Sequence, residues 1–215
     1  MSLKVEELAI ADVKLIKTPT YRDGRGTFSE TWNQRDLVAA GICRTFVQDN
    51  HAVSYKAGTI RGLHFQVAPH AQGKLVRVTR GRIYDVAVDI RPESATFGQW
   101  VGKELAATSG EQLWVPAGFA HGYCTLEPQT EVIYKVDEYY APAAECGIRW
   151  DDPHLDIDWP VRGSVNAISP KDRVLPTFDD WRRTVADDSD CKDRLNYEDP
   201  DTLRRARLRP EPVSP

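Results

Sequence analysis

The sequence predicts a mostly β domain, built as an antiparallel barrel or sandwich, and three observations carry that prediction. Residues 82–90 alternate strictly: Tyr84, Val86, Val88 and Ile90 fall on one face, and Ile83, Asp85, Ala87 and Asp89 on the other. That period of two is the pattern of a strand. Between Arg44 and Val136 further short runs follow one another with turn residues between them and no long helix. Two of these runs carry a histidine: His64 in Gly62-Leu63-His64-Phe65-Gln66, and His121 in Pro116-Ala117-Gly118-Phe119-Ala120-His121-Gly122.

Along the chain, the first predicted element is a short helix over 33–40, stopped by Gly41. Strands are expected over 60–66, 74–80, 82–90, 99–107, 112–115, 121–126 and 131–136. Gly81, Gly98, Gly110 and Pro128 fall where the turns are needed. In a regular strand over 60–66, Ile60, His64 and Gln66 share one face and Arg61, Leu63 and Phe65 the other. Gly62 could host a bulge that would break that register. A second helix begins at Ser169, with Ser169 as N-cap, Pro170 in the first turn and Asp172 completing a capping box. Beyond Phe178 the composition shifts to a charge-rich tract that ends in Pro210, Pro212 and Pro215. The expected division is a domain over 1–178 and a charged extension over 179–215, partly helical or disordered.

Composition excludes several classes of function. A net charge of -4 argues against general nucleic-acid binding, which needs a basic face. The N-terminal stretch carries Lys4, Glu6 and Glu7 and has no apolar run, so neither a signal peptide nor a membrane span is expected. Cys43, Cys124, Cys146 and Cys191 form no C-x-x-C pair, which points to reduced thiols in a cytoplasmic protein rather than a zinc knuckle or a disulfide framework.

His64 is the first candidate for chemistry, because Arg61, Gln66, Gln72 and Lys74 crowd polar groups around it. An imidazole, with a reference pKa of about 6.5, accepts a proton near neutral pH. Metal-binding barrels of this kind commonly place two histidines close together on one strand, with a third on a later strand. Here Gln66 stands where the second would be, and His70, Glu104 and Glu111 do not complete a set around His121, so no metal is expected. Asp172 has two readings, a helix cap or the carboxylate that fixes the tautomer of His64. Tyr134, alternating with Val132 and Val136, is either a core tyrosine or a phenol aimed into the barrel. Arg25, in Asp23-Gly24-Arg25-Gly26, joins Arg61 and Lys74 as cations able to offset a diphosphate.

Several segments together resemble the dTDP-4-dehydrorhamnose 3,5-epimerase family. They include Asp23-Gly24-Arg25-Gly26, Phe46-Val47-Gln48-Asp49-Asn50-His51, Arg61-Gly62-Leu63-His64-Phe65-Gln66 and Ala71-Gln72-Gly73-Lys74. Asp85-Val86-Ala87-Val88-Asp89, Phe119-Ala120-His121-Gly122 and Tyr139-Tyr140-Ala141-Pro142 continue the match, in order, as far as Asp172. The resemblance implies a cupin-type double-stranded β-helix (jelly roll), a homodimer and an epimerase that needs no cofactor, acting on a nucleoside-diphosphate sugar. It implies His64 as base, Asp172 as its acidic partner, Tyr134 as the opposing acid, and Lys74 and His121 beside the sugar. Arg25, Glu30, Gln48, Asn50, Arg61 and Tyr140 are implied in the nucleotide-sugar pocket. Trp32 departs from the tyrosine usual at its place, and the tail past Phe178 is long. Relatives of this fold include single-carbon epimerases and 3,4-ketoisomerases. A metal cupin and a non-catalytic sugar-binding module are the rival classes.

Overall fold

The computed structural model describes residues 3–161 and 167–187. In chain order its elements are β1 (Lys4–Glu7), β2 (Lys14–Lys17), β3 (Tyr21–Asp23), β4 (Gly26–Phe28), α1 (Gln34–Ala39), β5 (Gln48–Ser54), β6 (Ile60–Gln66), β7 (Lys74–Arg80) and β8 (Arg82–Asp89). There follow β9 (Trp100–Ala106), β10 (Glu111–Val115), β11 (Phe119–Thr125), β12 (Thr130–Val136), β13 (Glu145–Gly147), α2 (Pro170–Arg173) and α3 (Phe178–Asp187). One sheet has the order β1-β2-β10-β7-β12-β5, the other β13-β6-β11-β8-β9, and β3 and β4 form a separate hairpin. Successive strands from β5 to β8 switch sheets each time, and every named strand pair is antiparallel. This is the expected cupin-type jelly roll.

Alternation decides what each sheet buries. On β8, Ile83 and Ala87 turn inward to meet Val76, Val78, Leu113 and Val132 of the facing sheet. Val86, Val88 and Ile90 turn the other way, against Leu63, Phe65, Ile148 and Leu155. The first face also carries Asp85 and Asp89, so the interior of the roll is the more polar side of this strand. The outer apolar side is roofed by α3: Phe178, Trp181 and Val185 are buried there, and Trp181 stacks edge-to-face on Phe65 with ring centroids 4.8 Å apart. The charge-rich tract therefore begins with an amphipathic helix seated on the core, at the 3.6-residue spacing of its three apolar positions. Asp152 anchors its start, Oδ2 accepting from the Phe178 amide at 2.8 Å. Residues 188–215, the rest of the predicted extension, lie outside the described residues. Phe178→Ala is expected to lower unfolding stability by about 3–5 kcal/mol, measured by urea denaturation. A loss below about 1 kcal/mol would mean that α3 is not part of the folding unit.

Both expected helices form, α1 with Asn33 as its cap and α2 with Ser169. Strands β1 to β5 and β13 were not predicted. β1 is exposed along its whole length. β5 alternates polar with polar, Gln48 and Asn50 against Asp49 and His51, because one of its faces lines a cavity and the other faces solvent. An apolar periodicity has nothing to register in such strands.

The regular facing expected for β6 is corrected. His121 of β11 pairs with His64, yet Tyr123 pairs with Arg61: two steps on one strand oppose three on the other. The extra residue is a bulge at Gly62. It returns Arg61 to the same side as His64, while Leu63 and Phe65 enter the apolar layer under α3. Only glycine fits, since Gly62 has φ of 124° and a Cβ there would lie 2.6 Å from the Gly122 Cα.

Candidate active site

A cavity of ≈ 530 Å³ opens between the two sheets, walled by Arg61, His64, Lys74, His121, Tyr134 and Asp172. An adjoining recess shares His64, Lys74 and Tyr134 and adds Gln48, Asn50 and Tyr140. The fold thus gathers predicted residues from β5, β6, β7, β11, β12 and α2, across more than a hundred positions of sequence between His64 and Asp172.

His64 Nε2 lies 2.7 Å from Asp172 Oδ1. Asp172 lies in the first turn of the Ser169-capped helix, but its carboxylate does not close the expected capping box and turns to His64 instead. Its amide donates to Ser169 Oγ at 3.0 Å, which caps the short helix, and its side chain also accepts from the Gly62 amide at 3.4 Å. Burial pushes the Asp172 carboxyl up, but the hydrogen bond and charge of His64, with help from the Gly62 amide and Ser169, outweigh it and hold the pKa below 3.8. A carboxylate on Nε2–H leaves the lone pair of the ring on Nδ1.

Lys74 is 8% exposed, and its Nζ donates to the His64 carbonyl oxygen at 3.1 Å. Burial lowers its pKa to about 8, against the pull of Asp85 and Glu145. Tyr134 reaches the cavity from β12; burial raises its phenol, with Arg61 working in the opposite direction. The phenol is therefore a proton donor at neutral pH. His121 Nε2 sits 2.7 Å from Asp85 Oδ1, and burial lowers this imidazole below its ordinary value despite that carboxylate. Arg61 is held toward β5 by bonds to Ser54 Oγ and the Val53 carbonyl, each 3.3 Å.

The mouth is shaped by Gln66, the residue expected to break a metal set. Its Nε2 donates to the carbonyls of His70 and Tyr139, and its Oε1 accepts from the Ala141 amide at 2.8 Å. The amide is fully committed to pinning the segment that carries Tyr140. Among the described residues no group of three or more His, Cys, Asp and Glu is arranged to hold a metal, and none of the described helices is long and apolar enough to cross a membrane.

Two predicted site residues do not reach this cavity within one chain. Arg25 sits in the β3–β4 hairpin, its side chain 91% exposed and paired with Asp23 of its own turn. Glu30 accepts from Asn33 and lines a separate cavity beside α1. Asp85, Tyr123, Glu145 and Lys171 border the site and were not singled out from sequence. Asp85 was legible as the one acid among the buried inward positions in the middle of β8. Glu145 and Lys171 carry no local pattern and meet only through the fold, at 2.6 Å.

A jelly roll whose cavity presents a carboxylate-steered histidine, a facing phenol and a buried lysine defines a class of proton-transferring sugar isomerases. The model of the dTDP-4-dehydrorhamnose 3,5-epimerase family matches residues 7–180. A dTDP-4-dehydrorhamnose 3,5-epimerase of Pseudomonas aeruginosa is 48% identical over 179 residues, 83% of this chain and 97% of that one. The crystal structure of the Bacillus anthracis enzyme, with TDP and PPi bound, is 50% identical, covers 82% of this chain and 99% of its own, and has a TM-score of 0.79. That of Legionella pneumophila, in complex with dTDP-4-keto-L-rhamnose, is 39% identical, covers 93% and 96%, and has a TM-score of 0.77. The chain belongs to the dTDP-4-dehydrorhamnose 3,5-epimerase family.

Proposed function

We propose that the protein inverts C3 and C5 of a nucleoside-diphosphate 4-keto-6-deoxyhexose, converting dTDP-4-dehydro-6-deoxy-D-glucose to dTDP-4-dehydro-L-rhamnose without a cofactor. The observation that carries this reading is the 2.7 Å His64–Asp172 pair in a cavity that also holds Lys74 and Tyr134. The ketone at C4 acidifies the hydrogens on C3 and C5. His64 Nδ1 removes one, and Asp172 stabilises the imidazolium that forms. The negative charge moves to the C4 oxygen, where the Lys74 ammonium meets it. Tyr134 delivers a proton to the opposite face of the carbon, and the centre inverts. The nucleotide-bearing ligands of the two solved relatives support a nucleotide-sugar substrate, and Arg61, Gln48, Asn50 and Tyr140, which line the cavity and its recess, would bind it.

Proton NMR of the reaction in heavy water tests this. Deuterium is expected at both C3 and C5; label at C3 alone would make the protein a single-carbon epimerase, and tight binding without any label would make it a sugar-binding module.

The acid–base reading also fixes a pH dependence. Lys74 acts as a cation and its pKa is about 8, so kcat/KM falls as pH rises through about 8. Lys74→Arg keeps the charge to higher pH, and that limb is expected to move up by more than one unit. An unmoved limb would assign it to another group. The same lowered pKa has a stability consequence of opposite sense: the buried ammonium disfavours folding below its unfolded value, so stability rises as pH climbs from about 8 toward 10.5.

A cytoplasmic homodimer belongs to the same proposal. The β3–β4 hairpin is exposed throughout, with Phe28 70% exposed beside Arg25. A second copy covering this hairpin would bury that aromatic and give Arg25 a diphosphate to pair with. Full turnover by a sedimentation-verified monomer would remove the dimer from the proposal.

A further inference from the structure

The proposed reaction uses His64, Asp172, Tyr134 and Lys74, and leaves a second buried histidine–carboxylate pair in the same cavity without a task. Asp85 lies at the centre of β8, wholly inaccessible to solvent. Its Oδ1 is engaged by His121, while its Oδ2 is buried with no hydrogen-bond partner among the described residues. His121 is the cross-strand neighbour of His64, so Asp85 stands one imidazole behind the reacting site. Burial keeps that imidazole neutral, and a neutral ring does not cancel a carboxylate.

A buried charge persists where an opposite charge answers it. The groups facing this part of the cavity can be taken element by element. From β6 come His64 and Arg61, the latter turned toward β5; from β11 and β12 come the uncharged Tyr123 and Tyr134. On α2, Asp172 is engaged with His64 and Lys171 with Glu145 of β13, and Glu145 also accepts from Tyr140. Lys74, on the facing sheet, is the buried cation whose ammonium feels Asp85 as its strongest favourable charge, ahead of Glu145.

Building on the function proposed above, we propose that Asp85 is a positioning residue whose carboxylate keeps Lys74 charged at the buried end of the cavity where the enolate forms. His121 serves as the hydrogen-bonded spacer that fixes the direction of that carboxylate.

Asp85→Asn tests this, because the amide oxygen still accepts from His121 Nε2 and only the charge is lost. In the full-length protein carrying 13C at lysine Cε, without substrate, the Lys74 resonance is expected to titrate at least roughly one pH unit lower than in the wild type. The alkaline limb of kcat/KM is expected to move down with it, and the same substitution in a Lys74→Arg background to leave the limb in place. A Lys74 midpoint unchanged in folded Asp85→Asn protein overturns the proposal. The reciprocal measurement covers a variant that does not fold: in Lys74→Met the Asp85 carboxyl, read at 13Cγ, is expected to titrate at higher pH, and an unmoved midpoint overturns the proposal equally. These titrations need no catalysis, so they are independent of the epimerase reading, which fails instead if His64→Asn retains turnover.

Discussion

His64→Asn is expected to abolish deuterium incorporation at both C3 and C5, a loss of at least about 10²- to 10⁴-fold in the proton-transfer step, while dTDP still binds. Asparagine is shorter than the ring and does not reach the Nε2 position, so the direct bond to Asp172 is lost together with the base, and retained dTDP binding shows that the cavity itself survives. What disappears is the Nδ1 lone pair, and no neighbour replaces it. His121 is buried and committed to Asp85 through Nε2, and Lys74 is a cation over the working range. Asp172→Asn should fall short of this loss, because His64 keeps its base but loses the charge that stabilises its protonated form. Isotope exchange by NMR and dTDP affinity by calorimetry, on the same preparation, separate the two effects. Full turnover in His64→Asn would remove the imidazole from the mechanism.

The fold was legible in this sequence wherever one face of a strand is apolar. β7, β8 and β12 bury alternating Val, Ile and Leu, and their periodicity alone places them within a residue or two, whereas β11 is buried on both faces and was marked by its position after the Pro116-Ala117-Gly118 turn. β5 escaped because Gln48 and Asn50 face a cavity while Asp49 and His51 face water. The site divides in the same way. His64 and Lys74 announce themselves as polar groups inside strands that should build a core. Asp172 does not, because its helix cap explains it completely until the fold brings α2 against β6. The Gly62 bulge is a further case: a glycine in a strand allows a bulge without requiring one, and only the register of β11 shows that Arg61 and His64 share a wall. The start of the charged tract was opaque for compositional reasons. Phe178, Trp181 and Val185 are three apolar positions among many charges, and their common face appears only when the helix turns them onto Phe65 and Phe97.

Tyr134→Phe is expected to separate exchange from inversion. The base remains, so His64 still removes the proton beside the ketone and Lys74 still meets the charge on oxygen. With the phenol gone, the carbanionic carbon regains its proton from the side that lost it. Deuterium then enters the starting sugar with its configuration kept, while net epimerisation falls by about 10²- to 10⁴-fold. The physical basis is that burial raises the Tyr134 pKa, so the phenol keeps its proton and can donate it at neutral pH. Its position on β12, in the other sheet from β6, is the basis for assigning it to the face opposite the imidazole. The substitution removes one oxygen and no packing, and Val132 and Val136 on either side hold the strand in register, so the variant should fold as the wild type does. Two NMR integrals from one sample decide the matter: label in the unchanged substrate, and label in the inverted product. Equal loss of both would move Tyr134 into the abstraction step, and inversion at the wild-type rate would take it out of the reaction.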